Sequence, residues 1–209
     1  MNTLQDAPQT VDLSSYDNSW YHPGGGSIKR LLWYVVNVLF FTNRLNPLIG
    51  LKVWLLRLFG AQVGKGVIIK PAVNIKYPWH LHIGNHVWIG EGAWIDNLTR
   101  VELHDHVCLS QGAMLLTGNH NYKRASFDLM LQPIVLEEGV WIGAQAVVCP
   151  GVRAASHAVL AVGSVATQDL QAWHIYQGNP AVKVRKREVT GDRMQGTGDR
   201  MQGTGDRIS

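Results

Sequence analysis

Cysteine is almost missing from this chain. Cys108 and Cys149 are the only two, too few for a disulfide framework and without the Cys/His spacing of a metal site. That scarcity favours a reducing, cytoplasmic setting. Long apolar runs are missing as well. The longest, Leu31 to Phe41, is 11 residues and is broken by the polar Asn37, whereas a bilayer span needs about 20. Met1 to Gln9 lacks the basic-then-apolar pattern of a secretory signal. Charge is sparse too, at 16% of residues, with a net of +4. Four of the cations crowd into Lys183, Arg185, Lys186 and Arg187, and three more recur near the C-terminus. No basic stripe interleaved with aromatics runs along the rest, so no nucleic-acid partner is expected. A small phosphate-bearing partner suits a local cluster better. Hydrophobic residues, by contrast, make up 46%, with eight tryptophans, which rules out a disordered chain. At 209 residues there is material for one substantial core and one small appendage.

Four zones follow. Residues 1–26 are polar, end in Pro23-Gly24-Gly25-Gly26, and read as a flexible arm. Residues 27–60 hold two amphipathic segments, Ile28–Phe41 and Leu48–Phe59, parted by Asn46-Pro47. In the second, Leu48, Leu51, Leu55, Leu58 and Phe59 recur at helical spacing. Lys29, Arg30, Arg44, Lys52 and Arg57 add positive charge to this zone. Two readings stand: a helical cap covering one end of a β domain, and a cap that also rests peripherally on an anionic membrane surface. Residues 183–209 form a basic segment followed by a seven-residue tandem repeat beginning at Thr190. That repeat has no apolar face to bury and is expected to be disordered.

Residues 61–182 carry a six-residue period. Aliphatic residues stand at Val63, Ile69, Ile75; Ile83, Ile89, Ile95; Leu103, Leu109, Leu115; Leu136, Ile142, Val148; and Leu160, with Ala154 and Ala166 at the two remaining positions. Four residues after each, the side chain is usually small or β-branched; Trp79, Asn119 and Leu170 are the misfits. Glycine directly follows the aliphatic residue at Gly64, Gly84, Gly90 and Gly143, which suggests tight corners. Three six-residue strands make a triangular coil of 18, with the large and small side chains both pointing into a narrow prism. Two-residue alternation would not give this period, and no hairpin dipeptides separate the runs. The expected fold is all-β, a parallel β-helix of about five hexapeptide coils. Successive coils are offset by 20 residues at 63, 83 and 103, that is, 18 plus a two-residue insertion at one corner. At that corner after the third coil, fifteen extra residues intervene between Leu115 and Leu136, and His120 lies at their start.

The hexapeptide core, taken with Thr117-Gly118-Asn119-His120-Asn121-Tyr122, Val140-Trp141-Ile142-Gly143-Ala144 and Gly178-Asn179-Pro180-Ala181, resembles the hexapeptide-repeat acyltransferases. Within them it is similar to the colanic-acid-type exopolysaccharide O-acetyltransferases, relatives of the maltose and galactoside acetyltransferases. Leu55 to Ala61 and Lys76-Tyr77-Pro78-Trp79 share in the likeness, which covers roughly residues 11–188. The resemblance implies a left-handed winding, since the general rule for parallel crossovers is right-handed. It also implies a homotrimer with acetyl-CoA in the groove between neighbouring prisms, no metal, and a saccharide acceptor, a lipid-linked precursor among the candidates. Its implied site residues are His120 as catalytic base, Trp141 lining the acetyl-CoA tunnel, and Ala144 meeting the pantetheine arm through its backbone. Val162, Gly163 and Thr167 fall on later coils of the same groove, and Lys183 and Arg185 near the CoA phosphates. Relatives commonly carry an acid after the histidine, where this chain has Asn121. Coil five reads Ala154-Ala155 and Leu160-Ala161 where Ile-Gly is usual.

An imidazole, with an ordinary pKa of about 6.5, is matched to removing a proton from a hydroxyl as it attacks a thioester at neutral pH. His120's second nitrogen needs an acceptor to fix its tautomer; a backbone carbonyl and Asp128 are the alternatives. Two other functions are compatible with such a helix. One is a metal enzyme of the γ-carbonic anhydrase type, with His80, His82, His86, His104, His106 and His120 as candidate ligands; the other is a non-catalytic scaffold. His86 and His106 share one register position, three after the aliphatic residue, so they should simply stack on successive coils.

Overall fold

The computed structural model describes residues 10–189. The expected tail repeat from Thr190 lies outside them. Residues 62–186 wind as a left-handed parallel β-helix with three faces. Face one stacks Gln62–Val63, Leu81–Ile83, Val101–Leu103, Ile134–Leu136 and Arg153–Ala154. Face two stacks Ile68–Ile69, Trp88–Ile89, Cys108–Leu109, Trp141–Ile142, Val159–Leu160 and His174–Gly178. Face three stacks Asn74–Ile75, Trp94–Asp96, Met114–Leu116, Val147–Val148 and Val165–Ala166. There are thus five full coils and the second face of a sixth. The offset between paired residues is absorbed at the vertex between faces three and one, so Gln62, His82, Glu102, Val135 and Arg153 stay in one column.

The six-residue period matches the observed interior. Of the fifteen period positions, all but Val63 are at most 1% exposed. Each full burial of an aliphatic side chain is worth about 1.5–3 kcal/mol. The misfits mark places where the prism ends or opens. Leu170 bridges Ala154 and is buried with Tyr176 over the small residues of coil five. Asn119 lies on the excursion. Trp79 faces the N-terminal segment, its indole N–H donating to the Pro23 carbonyl at 2.7 Å.

The corners are built differently from the sequence expectation. The residues directly after the aliphatic positions are glycine because the next coil comes too close: a Cβ on Gly143 would sit 2.6 Å from Val162 N. The left-handed residue of each turn falls two positions later. Between faces one and two it is Gly66, His86, His106, Gly139 and His157, with φ between 55° and 66°. His86 and His106 stack there at 5.3 Å and 7°.

Two helices close the N-terminal end. Helix α1 (Ser27–Val36) runs on through a wider π-type turn, Asn37–Phe41, and helix α2 covers Ile49–Leu58. In coil two, the carbonyls of Ile83, Ile89 and Ile95 accept N–H groups from coil one. Coil one has no coil beneath it, and the cap supplies the donors. Arg57 binds the carbonyls of Val63 and Gly64, Lys52 Nζ binds that of Lys70 at 2.9 Å, and the Trp33 indole binds that of Ile75 at 2.9 Å. A buried carbonyl without a donor costs about 1–3 kcal/mol, so this is what draws Lys52 inward. The inward face of α2 is accordingly Lys52, Leu55 and Leu56, while Leu48 and Leu58 of the expected stripe are exposed. Burial pushes the Lys52 ammonium below its ordinary pKa.

Residues 10–26 are not the free arm their composition suggests. Asp12 N–H donates to the Ala125 carbonyl, and the Tyr21 hydroxyl to the Leu98 carbonyl at 2.7 Å. The anchors are single side chains and backbone groups, so no apolar run announces them. At the other end, the strand Ala181–Lys186 crosses the boundary expected at residue 183. It turns back antiparallel on His174–Gly178, because the sixth coil otherwise leaves an open ladder.

Candidate active site

The excursion after coil three is a hairpin standing on the vertex between faces three and one. Its strands Gly118–His120 and Leu129–Leu131 pair antiparallel, His120 opposite Leu129. Thr117 roots it: its buried hydroxyl donates to the Asp96 carbonyl at 2.9 Å. His120 is half-buried. Its Nδ1 lies 2.9 Å from the Phe127 carbonyl, and since a carbonyl only accepts, Nδ1 carries the proton. The lone pair is then on Nε2. Phe127, in the left-handed region at φ 50°, also lays its ring on the imidazole at 4.4 Å and 6°. Tyr16, from the N-terminal segment, flanks the imidazole at 5.7 Å. The tautomer is thus fixed by a backbone carbonyl. Asp128 is engaged elsewhere: a hydrogen bond from Ser126 and the Arg124 guanidinium, 2.7 Å away, hold its carboxyl below the usual range.

Trp141 lies on the outer side of face two, half-exposed, its indole N–H donating to Ser110 Oγ at 2.9 Å. It borders a recess of about 420 Å³ shared with Val159, Ile175, Arg185, Lys186, Arg187 and Glu188. One wall is aromatic and aliphatic; the other carries three cations and the Glu188 carboxylate. Arg187 holds that wall in place, its Nη1 donating to the carbonyls of Gly139 (2.8 Å) and His157 (3.1 Å). Lys183 does not line the recess. Ile175 pairs with Arg185 and the adjacent Tyr176 with Lys183, so a bulge at Val184 breaks the alternation and turns Lys183 the other way. Lys183 Nζ binds Gln171 Oε1 instead.

Ala144, Val162 and Gly163 meet at the vertex between faces two and three, where Gly163 N–H donates to the Ala144 carbonyl at 2.9 Å. Thr167 is exposed after the face-three strand of coil five, on the His120 vertex but two coils away. Among the described residues, no three His, Cys, Asp or Glu side chains are grouped to hold a metal ion. Burial pushes both thiols, Cys108 and Cys149, above their ordinary pKa, so neither presents a thiolate nucleophile at neutral pH. Phe127, Tyr16, Ser110 and Arg187 were not among the sequence candidates. A left-handed phenylalanine leaves no mark in a sequence, whereas Arg187 stood within the basic cluster already noted.

No protein-family model matches the chain. The Escherichia coli K12 protein named colanic acid biosynthesis acetyltransferase WcaF is 35% identical over 179 residues, 86% of this chain and 98% of that protein. The chain belongs to the hexapeptide-repeat acetyltransferases. Galactoside O-acetyltransferase of the same bacterium is 28% identical over 129 residues, 60% of this chain and 64% of its own length. The hexapeptide-repeat acetyltransferase VCA0836 of Vibrio cholerae O1 biovar eltor, solved with acetyl coenzyme A, matches with a TM-score of 0.70. It covers 79% of this chain and 93% of its own, at 22% identity, a likeness of fold.

Proposed function

We propose that this acetyltransferase moves the acetyl group of acetyl-CoA to a saccharide hydroxyl by direct attack, with His120 as general base. The observation that carries the reading is the Nδ1–H to Phe127 carbonyl bond, which leaves Nε2 as acceptor. The acceptor's O–H proton passes to Nε2 as its oxygen attacks the thioester carbon. The tetrahedral oxyanion then collapses, the C–S bond breaks, and the CoA thiolate takes the proton from the imidazolium. No covalent enzyme intermediate is needed. Backbone N–H groups at a corner can bear the oxyanion's charge. The recess beside Trp141 suits the other end of the cofactor, its apolar wall the pantetheine arm and its Arg185 side a phosphate.

His120 stands on the vertex opposite face two, so the histidine and the Trp141 recess of one prism lie on different sides of it. A threefold arrangement that sets each vertex beside a neighbour's face two would complete three sites, and this supports a homotrimer. The name of WcaF places that relative in colanic acid biosynthesis, which supports a sugar hydroxyl as the acceptor here, lipid-linked or free. Two unpaired cysteines accord with a cytoplasmic enzyme.

The test is His120→Gln, which keeps a polar side chain and removes the base. Transfer should fall about 10²-fold or more, while acetyl-CoA binding by calorimetry and trimer mass by light scattering persist. Near wild-type transfer by the variant would overturn the assignment. Measuring CoA release with free and lipid-linked sugars, with mass analysis of product, identifies the acceptor.

A further inference from the structure

Helix α1 and its π-type turn are apolar on two opposite sides, and only one of them is covered. Trp33 and Phe41 are buried against the β-helix. On the far side Ile28, Leu31, Leu32, Val35, Val38 and Leu39 are 44–77% exposed. Their spacing of three and four residues puts them in one stripe along the helix, about 17 Å long at about 1.5 Å per residue. The stripe runs towards the Asn43–Pro47 loop, whose Leu45 is 90% exposed beside the exposed Arg44. A contiguous apolar surface of this kind on a folded protein marks something that covers it.

The charge around it says what. From Asn18 to Gly90 the sequence contains no Asp or Glu, and every charged residue is Lys or Arg. Arg44 stands exposed at the end of the stripe, whereas Lys29 Nζ lies 4.9 Å over the Trp79 ring and Arg30 donates to the Gly25 carbonyl and Ser27 Oγ. A second copy docked stripe to stripe would bring two cation-only segments together; Asp96, the acid that shares a recess with Leu31 and Val38, is already paired with Lys76. An anionic partner meets both the apolar stripe and the charge. No helix among the described residues is long and apolar enough to cross a membrane, which leaves a helix lying in the interface plane.

We propose that the outer stripe of α1, with Leu45 and Arg44, docks this acetyltransferase on a bilayer surface bearing anionic headgroups. The stripe sinks among the acyl-chain boundary and Arg44 sits at headgroup level. This stands apart from the assignment of His120 and of the acceptor.

The full chain should co-sediment with phosphatidylcholine vesicles containing phosphatidylglycerol, far less with phosphatidylcholine alone, and release partly in high salt. Leu31→Gln with Val35→Gln should weaken binding at least about tenfold. Arg44→Gln should weaken it about fivefold, on anionic vesicles only. Unfolding midpoint and oligomer mass in the absence of lipid should stay close to wild type, since none of these side chains belongs to the buried core. Failure of the wild type to bind anionic vesicles overturns the proposal, as does wild-type binding by the double variant. A drop in oligomer mass with the Leu31/Val35 pair also overturns it, because the stripe would then be a contact between subunits. Leu45→Gln, on the loop outside the helix, gives a second reading: binding should fall with helix content unchanged, and unaltered binding counts against the proposal.

Discussion

The corner column between faces one and two allows a sharp test of how the coils fit. Gly139 has φ 66°, and a Cβ there would fall within the His157 imidazole one coil on, 2.5 Å from Cε1. Gly139→Ala therefore incurs two costs. The left-handed backbone costs an alanine about 1–2 kcal/mol. The imidazole must also leave its place against Trp173, 4.1 Å away, forfeiting about 0.5–1.5 kcal/mol of ring contact and straining its rotamer by a similar amount. The single variant should lose about 2–5 kcal/mol. His157→Gly loses the Trp173 contact but relieves a residue that itself sits at φ 61°, so it should change stability by less than about 1 kcal/mol. In the double variant the alanine's backbone cost adds to the small effect of His157→Gly, and the clash is gone. The cycle should then show a coupling of about 1–3 kcal/mol, measured by urea unfolding at one fixed protein concentration. Additivity within about 0.5 kcal/mol would refute the steric account of the corner. Gly139→Ala should also disturb cofactor affinity, since Arg187 hangs from the carbonyls of these two residues.

Arg185→Ala should raise KM for acetyl-CoA by about five- to tenfold with little change in kcat, because a phosphate contact remote from the thioester is uniform binding. Lys183→Ala should do less, being turned towards Gln171; equal effects in steady-state assays would contradict the bulge geometry. Glu137 accepts hydrogen bonds from Ser156 and pairs with Arg153, and these hold its carboxyl below the ordinary 4.5. A depressed carboxylate contributes stability above its unfolded pKa and loses it as pH falls through the folded value. Glu137→Gln should therefore flatten the acid limb of the stability profile below about pH 4.5, by less than about 1 kcal/mol given solvent screening, as read by unfolding midpoints across pH.

The interior of the prism was legible because every sixth side chain has one neighbour set, and only aliphatic or small residues fit it. The corners were not. Their left-handed positions hold His86, His106, Gln145 and His157 as readily as glycine, so composition does not flag them. His120 is singled out by the resemblance of its loop, but the group that holds its ring is a main-chain carbonyl, and carbonyls look alike in a sequence. The segment before residue 27 misled for a related reason: its polarity was real, yet Tyr21 and Asp12 spend it on carbonyls far along the chain. The bulge at Val184 separated Lys183 from Arg185 by a register shift that spacing does not record.

A parallel coil is a lattice with a single repeat, and a lattice grows wherever its last row is bare. Here both growth faces are stopped by chemistry that is out of step with the repeat. At one end an indole, an ammonium and a guanidinium occupy the acceptors that another chain's first strand would need. At the other, the reversed strand Ala181–Lys186 presents a row of opposite polarity. The number of coils is therefore set by its terminators and not by the repeat itself, which would accommodate one more or one fewer between them.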